Sequence, residues 1–191
     1  MLLQQKKKNR IMSNLQKKSM EELQRLSAAD FINNNNKTPI VVVLDNVRSM
    51  NNVGSVFRTA DAFLLEAIYI TGYTCIPPHK EIKKTALGAE DTVTWKHFAN
   101  ATLAIEDLKE KGYNVYAVEQ AEGSVMLNDL VVDKSAKIAL VFGNEVEGVQ
   151  DEVIHTCDQC IEIPQSGVKH SLNISVAAGI VFWQVYKQIS L

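Results

Sequence analysis

IEIPQSGVKHSLNISVAAGIVFWQ, residues 161–184, is the stretch on which the reading of this chain turns. It opens as a short strand, Ile161 to Ile163. Pro164 ends that strand because proline has no N–H to give to a ladder. A polar loop with one glycine follows, Gln165 to His170. Ser171-Leu172-Asn173-Ile174-Ser175 then begins a long helix, predicted over Leu172 to Ile189, with Ser171 as its N-cap. This helix is apolar on almost every face, so it is buried all round or docked on one side against a partner. Its first turn nevertheless carries Ser171, Asn173 and Ser175, directly after the basic pair Lys169-His170. Polar groups gathered at the mouth of an apolar helix point to a site. A capped helix after an ordinary loop is the plainer alternative.

Working outward, the same strand-and-helix alternation recurs. Ile40 to Leu44, IVVVL, is a continuous apolar run of strand length, the pattern of a strand covered on both faces. Ala67 to Ile70 and Ile138 to Phe142 read the same way, and shorter strands are predicted at Thr92 to Trp95 and Asn114 to Val118. Between them, Val53, Val56, Phe57, Ala60, Phe63 and Leu64 follow helical spacing, with Asn51 or Asn52 placed to cap that helix. Thr102 to Lys111 is a second amphipathic helix ended by Gly112, and Asp151 to Cys157 a third. Thr71 to Lys84 reads as a basic connection, and Ala121 to Lys137 as loop and turn. Alternating strands and helices predict an α/β fold with a mostly parallel sheet. Gly54, Arg58 and Asp61 share one helix face; Gly54 calls for something close to the backbone. Arg58 is either functional or an ion pair with Asp61. Gly143 stands at the carboxyl end of a buried strand, the edge where open α/β sheets bind ligands. There is no GxGxxG after the first strand, no GxxxxGK[ST] and no GxSxG, which disfavours a dinucleotide fold, a P-loop NTPase and an α/β-hydrolase.

A chain of 191 residues makes one domain with room for an appendage. Residues 1–37 hold eight Lys/Arg and three Asp/Glu, and residues 38–191 hold twelve and nineteen. The sequence therefore divides into a basic arm, 1–37, and an acidic body, 38–191. The arm carries a capping box at Ser19-Met20-Glu21-Glu22, a short helix with Met20, Leu23 and Leu26 on one side, and the linker Asn33 to Asn36. Such an arm fits a polyanionic partner or a solubilising tail. No run is long and apolar enough to span a bilayer, and the basic N-terminus lacks the apolar core of a signal peptide. Three cysteines do not make a disulfide framework, so reduced thiols and a cytoplasmic location are expected. Cys157 and Cys160 form a lone CxxC, with too few further ligands for a structural zinc; no metal is expected.

Three stretches together resemble a known family. Asn52 to Phe63 (NVGSVFRTADAF), Leu140 to Gly148 (LVFGNEVEG) and Ile163 to Ala178 (IPQSGVKHSLNISVAA) are similar, in order and spacing, to the three motifs of the SpoU (TrmH-like) RNA ribose 2′-O-methyltransferases. The resemblance covers Pro39 to the C-terminus. It implies the SPOUT fold, a parallel α/β sheet whose C-terminal segment is threaded into a trefoil knot. It also implies S-adenosylmethionine held in that knot, a homodimer through the C-terminal helix, and a tRNA or rRNA substrate. Carried over by position, cofactor contacts fall on the backbone around Gly143, Ile163 and Leu172. Asn52, Arg58, Glu145, Ser171 and Asn173 match the catalytic and structuring positions. Gln165 departs from the methionine usual after Ile-Pro. Positive surface for RNA is expected from the arm, Arg58, Lys80, Lys83, Lys84, Lys169 and His170. Because arginine stays protonated, Arg58 is expected to orient the ribose and phosphate rather than act alone as a base. A catalytically silent member that binds RNA or cofactor is the alternative; intact Asn52, Arg58, Glu145 and Asn173 weigh against it.

Overall fold

The apolar runs form the centre of a seven-stranded sheet in which every pairing is parallel. The structure, a computed structural model, describes residues 16–19, 21–23 and 25–191. The strands are β1 (Thr38–Asp45), β2 (Leu65–Thr71), β3 (Trp95–Phe98), β4 (Tyr113–Val118), β5 (Val125–Met126), β6 (Lys137–Phe142) and β7 (Gln159–Glu162). Their order across the sheet is β3-β2-β1-β6-β4-β7-β5. The helices are α1 (Ala28–Ile32), α2 (Met50–Ala62), α3 (Lys80–Ala86), α4 (Ala89–Thr92), α5 (Ala101–Glu110), α6 (Asp151–Thr156) and α7 (Ile174–Ser190). Successive side chains of a strand point to opposite faces. In β1, Ile40, Val42 and Leu44 enter one core with Phe57 and Phe182, while Val41 and Val43 enter the other with Ile105 and Leu108. Burial on both faces is why these strands read as unbroken apolar runs.

Several local expectations change. The last helix begins at Ile174 with Asn173 as its cap, whose Oδ1 accepts from Ser175 N at 2.9 Å. Ser171 and Leu172 therefore lie in the preceding loop, and Ser171 is not the N-cap. Asn reaches the Ser175 amide from two residues upstream; a serine four residues upstream does not. Likewise Ser49, not Asn51 or Asn52, caps α2, its Oγ accepting from Asn52 N at 3.3 Å. The basic connection after β2 is partly helical: α3 carries Lys80, Lys83 and Lys84, all exposed, with His79 Nδ1 capping at 3.2 Å. The strand expected at Thr92 to Trp95 begins only at Trp95, because Ala89–Thr92 is helical.

Gly54 has a packing reason. A Cβ there would lie 2.1 Å from Thr85 Oγ1 and 2.3 Å from the Ile82 carbonyl oxygen, so α3 crosses directly over α2 at this point. The close approach comes from a neighbouring helix, not from a ligand. In the arm, the reciprocal capping-box bonds form: Glu22 N donates to Ser19 Oγ at 3.2 Å and Ser19 N to Glu22 Oε2 at 2.7 Å. They close a turn at Glu21 to Leu23, and Leu23 and Leu26 are exposed; Met20 and residues 1–15 lie outside the described residues. Regular helix starts at Ala28, capped by Ser27. Phe31 is buried in the main core under Lys37, so this part of the arm docks on the body. Among the described residues no helix is long and apolar enough to cross a membrane.

Candidate active site

Strands β4 and β6 and the chain just beyond β7 end at one edge of the sheet, and a cleft of about 520 Å³ opens there. Its apolar wall is Val118, Phe142, Ile163, Leu172, Ile174 and Ala177. Two loops form its rim, 143–149 after β6 and 164–173 before α7. The first is held tightly on itself. A Cβ on Gly143 would lie 1.9 Å from the Gly148 carbonyl oxygen, and Gly148 itself has φ +67°. The buried Asn144 side chain accepts from Val146 N and Glu147 N, each at 2.8 Å. Glu119 Oε2 accepts from Val149 N at 2.9 Å. Gly143 is thus required by its own loop, where a ligand's approach was expected. The second loop is held by Gln120, whose amide nitrogen donates to the His170 carbonyl oxygen.

Three residues far apart in sequence are joined at the rim. Glu145 accepts from Arg48 N at 3.1 Å, from Ser49 N at 3.1 Å and from Asn52 Nδ2 at 3.0 Å. Asn52 Oδ1 in turn accepts from Asn173 Nδ2 at 3.2 Å. Ser49 caps the helix backbone, and that leaves the Asn52 amide group free to bridge the two loops. Partial burial alone would raise the Glu145 carboxyl. The Arg48 N–H, the Asn52 amide and the Ser49 N–H outweigh it and hold the group below the ordinary carboxylate range.

The cleft thus gathers Gly143, Glu145, Ile163, His170, Ser171, Leu172 and Asn173 among its lining, with Asn52 bonded to two of them. It does not gather the others. Arg58 is exposed on α2, six residues past Asn52, and lines a different cavity. It makes no ion pair with Asp61, whose Oδ1 instead accepts from the Thr92 hydroxyl at 3.2 Å. Lys80, Lys83 and Lys84 on α3 are not cleft residues; Lys84 reaches Glu81 at 3.9 Å across the helix surface. Lys169 is exposed in the second loop. Glu119 and Gln120 were not anticipated, although a polar pair directly after the β4 strand marks the same sheet edge. The three cysteines are free; burial raises the Cys157 thiol to about 12 and also raises Cys160, which leaves both protonated.

The lining contains Glu119, Glu145 and Glu147 but no lysine or arginine. Carboxylates around a cleft disfavour a polyphosphate and suit a neutral or cationic ligand with an apolar ring. A parallel α/β sheet with such a cleft at its carboxyl edge, roofed by a loop and the start of the last helix, has the architecture with which open α/β sheets bind small molecules. Within that architecture the assignment is specific: the SpoU rRNA methylase family matches residues 39–183, and the chain belongs to it. It is 32% identical over 159 residues to the 23S rRNA (guanosine-2′-O-)-methyltransferase RlmB of Haemophilus influenzae, covering 83% of this chain and 64% of that protein. Among solved structures, an AdoMet-bound rRNA methyltransferase from Sinorhizobium meliloti superposes with TM-score 0.73 at 30% identity, over 87% of this chain and 62% of that one. A TrmH/SpoU tRNA modifying enzyme of A. aeolicus gives TM-score 0.71 at 28% identity, over 80% and 76%. The chain spans about three fifths of the length of the curated relatives it matches, from 58% to 64%.

Proposed function

We propose that this protein transfers a methyl group from S-adenosylmethionine to a ribose 2′-hydroxyl of tRNA or rRNA. The observation that carries the reading is the bonded chain Glu145–Asn52–Asn173, which ties all three motif regions together at the rim of an acid-lined cleft. The cleft suits this cofactor on its own terms. The apolar wall takes an adenine ring, backbone around Gly143, Ile163 and Leu172 takes its edge, and the nearby carboxylates favour a sulfonium over a phosphate. When bound, S-adenosylmethionine supplies an already activated methyl group, so the protein's task is alignment. Glu145, Asn52 and Asn173 position the two loops. Ser171, in the second loop, presents its hydroxyl at the rim. Arg58 orients the ribose and an adjacent phosphate and offsets the negative charge that grows on the attacking oxygen.

In a single copy Arg58 lies away from the cleft, so this role goes with a homodimer in which α7 faces meet. The apolar residues Val176, Ile180 and Trp183 on the exposed side of α7 support that pairing. The SPOUT knot of the C-terminal segment belongs to the same proposal, as does a division into a basic arm, 1–37, and a methyltransferase body, 38–191.

The test is transfer from tritiated S-adenosylmethionine to separate bulk tRNA and rRNA, followed by alkaline hydrolysis. A 2′-O-methyl group protects its 3′ phosphodiester, so label is expected in alkali-resistant dinucleotides. Cofactor binding without any transfer to either RNA would select the silent-member alternative, and label in mononucleotides would mean base methylation.

A further inference from the structure

A second cavity, about 780 Å³, lies between the segment leading into α1, the C-terminal half of α2 and the α3–α4 junction. Two guanidinium-bearing residues line it, Arg25 from the arm and Arg58 from α2. Asp61 is the one carboxylate residue in the lining, and its Oδ1 is engaged by the Thr92 hydroxyl. Among the described residues neither arginine has a carboxylate within 4.0 Å. The rim exposes apolar surface on Leu26 and Leu87, at 50% and 65% of their areas. Guanidinium groups without a carboxylate partner are free to give forked hydrogen bonds to a phosphate that enters the cavity.

We propose that this cavity carries the RNA backbone away from the phosphate that Arg58 holds at the reacting ribose, and that Arg25 grips a further phosphodiester there. The inference rests on the RNA methyltransferase reading and extends it to the arm. An extended polyanion fits better than an isolated anion. Arg58 at the reacting ribose and Arg25 on the arm line the same cavity, so the backbone leaving that ribose meets a second guanidinium on its way to the arm. Leu26 and Leu87 offer contact to a sugar or base without reading sequence. Arg25 is thus a positioning residue for the substrate, not a catalytic one.

The experiment is binding of fluorescein-labelled bulk tRNA across a salt series by the wild-type chain and by Arg25→Ala, Arg25→Lys and Arg25→Glu, with S-adenosylmethionine titrated in parallel. Losing one phosphate contact is expected to reduce the slope of log K against log salt by about 0.7–0.9. Arg25→Ala should show that reduction and bind several-fold more weakly, and Arg25→Glu more weakly still. Arg25→Lys should keep the slope, a distinction that a packing role would not make. Cofactor affinity should be the same in all four. Unchanged affinity and slope in Arg25→Glu would overturn the site while leaving wild-type methyl transfer, and so the proposed function, intact. Displacement of the labelled tRNA by polyglutamate at matched charge concentration as effectively as by unlabelled tRNA would also overturn it, in favour of an acidic peptide. No binding of tRNA by the wild-type chain overturns it as well, and failed methyl transfer in the same preparation would then take the enzyme reading with it.

Discussion

Glu145 illustrates how much one side chain organises here. Its carboxylate collects two backbone N–H groups and the Asn52 amide, and these draw its pKa below that of an unfolded glutamate. A depressed carboxyl stabilises the fold at pH values above its unfolded pKa, about 4.3, and that contribution disappears as pH falls through the lower folded value. Glu145→Gln should therefore flatten the acid limb of the stability curve. Solvent screening keeps the difference at neutral pH to about 1 kcal/mol or less. Urea midpoints for both proteins from about pH 3 to pH 7 would show it; curves that fall in parallel on the acid side would remove Glu145 from this role. The sequence marks Glu145, Asn52 and Asn173 as members of three motifs. What it lacks is the partnering: residues this far apart in sequence reveal their bond only when the sheet brings both loops to one edge. Glu119 and Gln120 fall outside any motif, and their contribution rests on contacts of the same long-range kind.

At the level of elements, periodicity locates most of the sheet and the long helices, because two-sided burial leaves an unmistakable apolar run. It fails where side-chain competition sets a boundary. Ser49 outcompetes Asn51 and Asn52 for the start of α2, and Asn173 outcompetes Ser171 for the start of α7. It also fails at α3, where a proline pair and three lysines look like solvated loop. Yet Ile82 and Ala86 turn inward from that helix and bring its backbone onto Gly54. The packing predicts that Gly54→Ala destabilises the protein although alanine is the better helix former. The propensity gain is up to about 1 kcal/mol. A methyl group 2.3 Å from a carbonyl oxygen must push α3 aside, and overpacking of this kind typically costs about 1–3 kcal/mol. A lower urea midpoint with an unchanged slope is expected; a raised midpoint would mean that α3 yields freely.

For the whole molecule, the last helix is apolar on more faces than the body covers. Ala178, Val181, Phe182 and Val185 are buried in the body, while Val176, Ile180 and Trp183 remain 51%, 39% and 48% exposed. Trp183 also packs with Phe63 and Tyr186, so the apolar surface continues onto the end of α2. A contiguous apolar patch of this kind marks an interaction surface. The wild-type chain is expected to be dimeric by light scattering at micromolar concentration, and the double substitution Ile180→Glu, Trp183→Glu to be a folded monomer. A monomeric wild type would leave the exposed face of α7 without its predicted partner. The proposed knot, by contrast, would have no signature in hydropathy, since threading changes neither burial nor spacing.

The strand order also bears on how the protein is made. The middle of the sheet is the pairing of β1 with β6, Ile40 opposite Ile138, so the nascent chain carries one bare edge of β1 from the time that strand is made until β6 follows. Until β6 emerges from the ribosome, that edge is free to pair with any other extended segment. The cleft, built from the ends of β4 and β6, the chain beyond β7 and the start of α7, cannot form before all of these have been made.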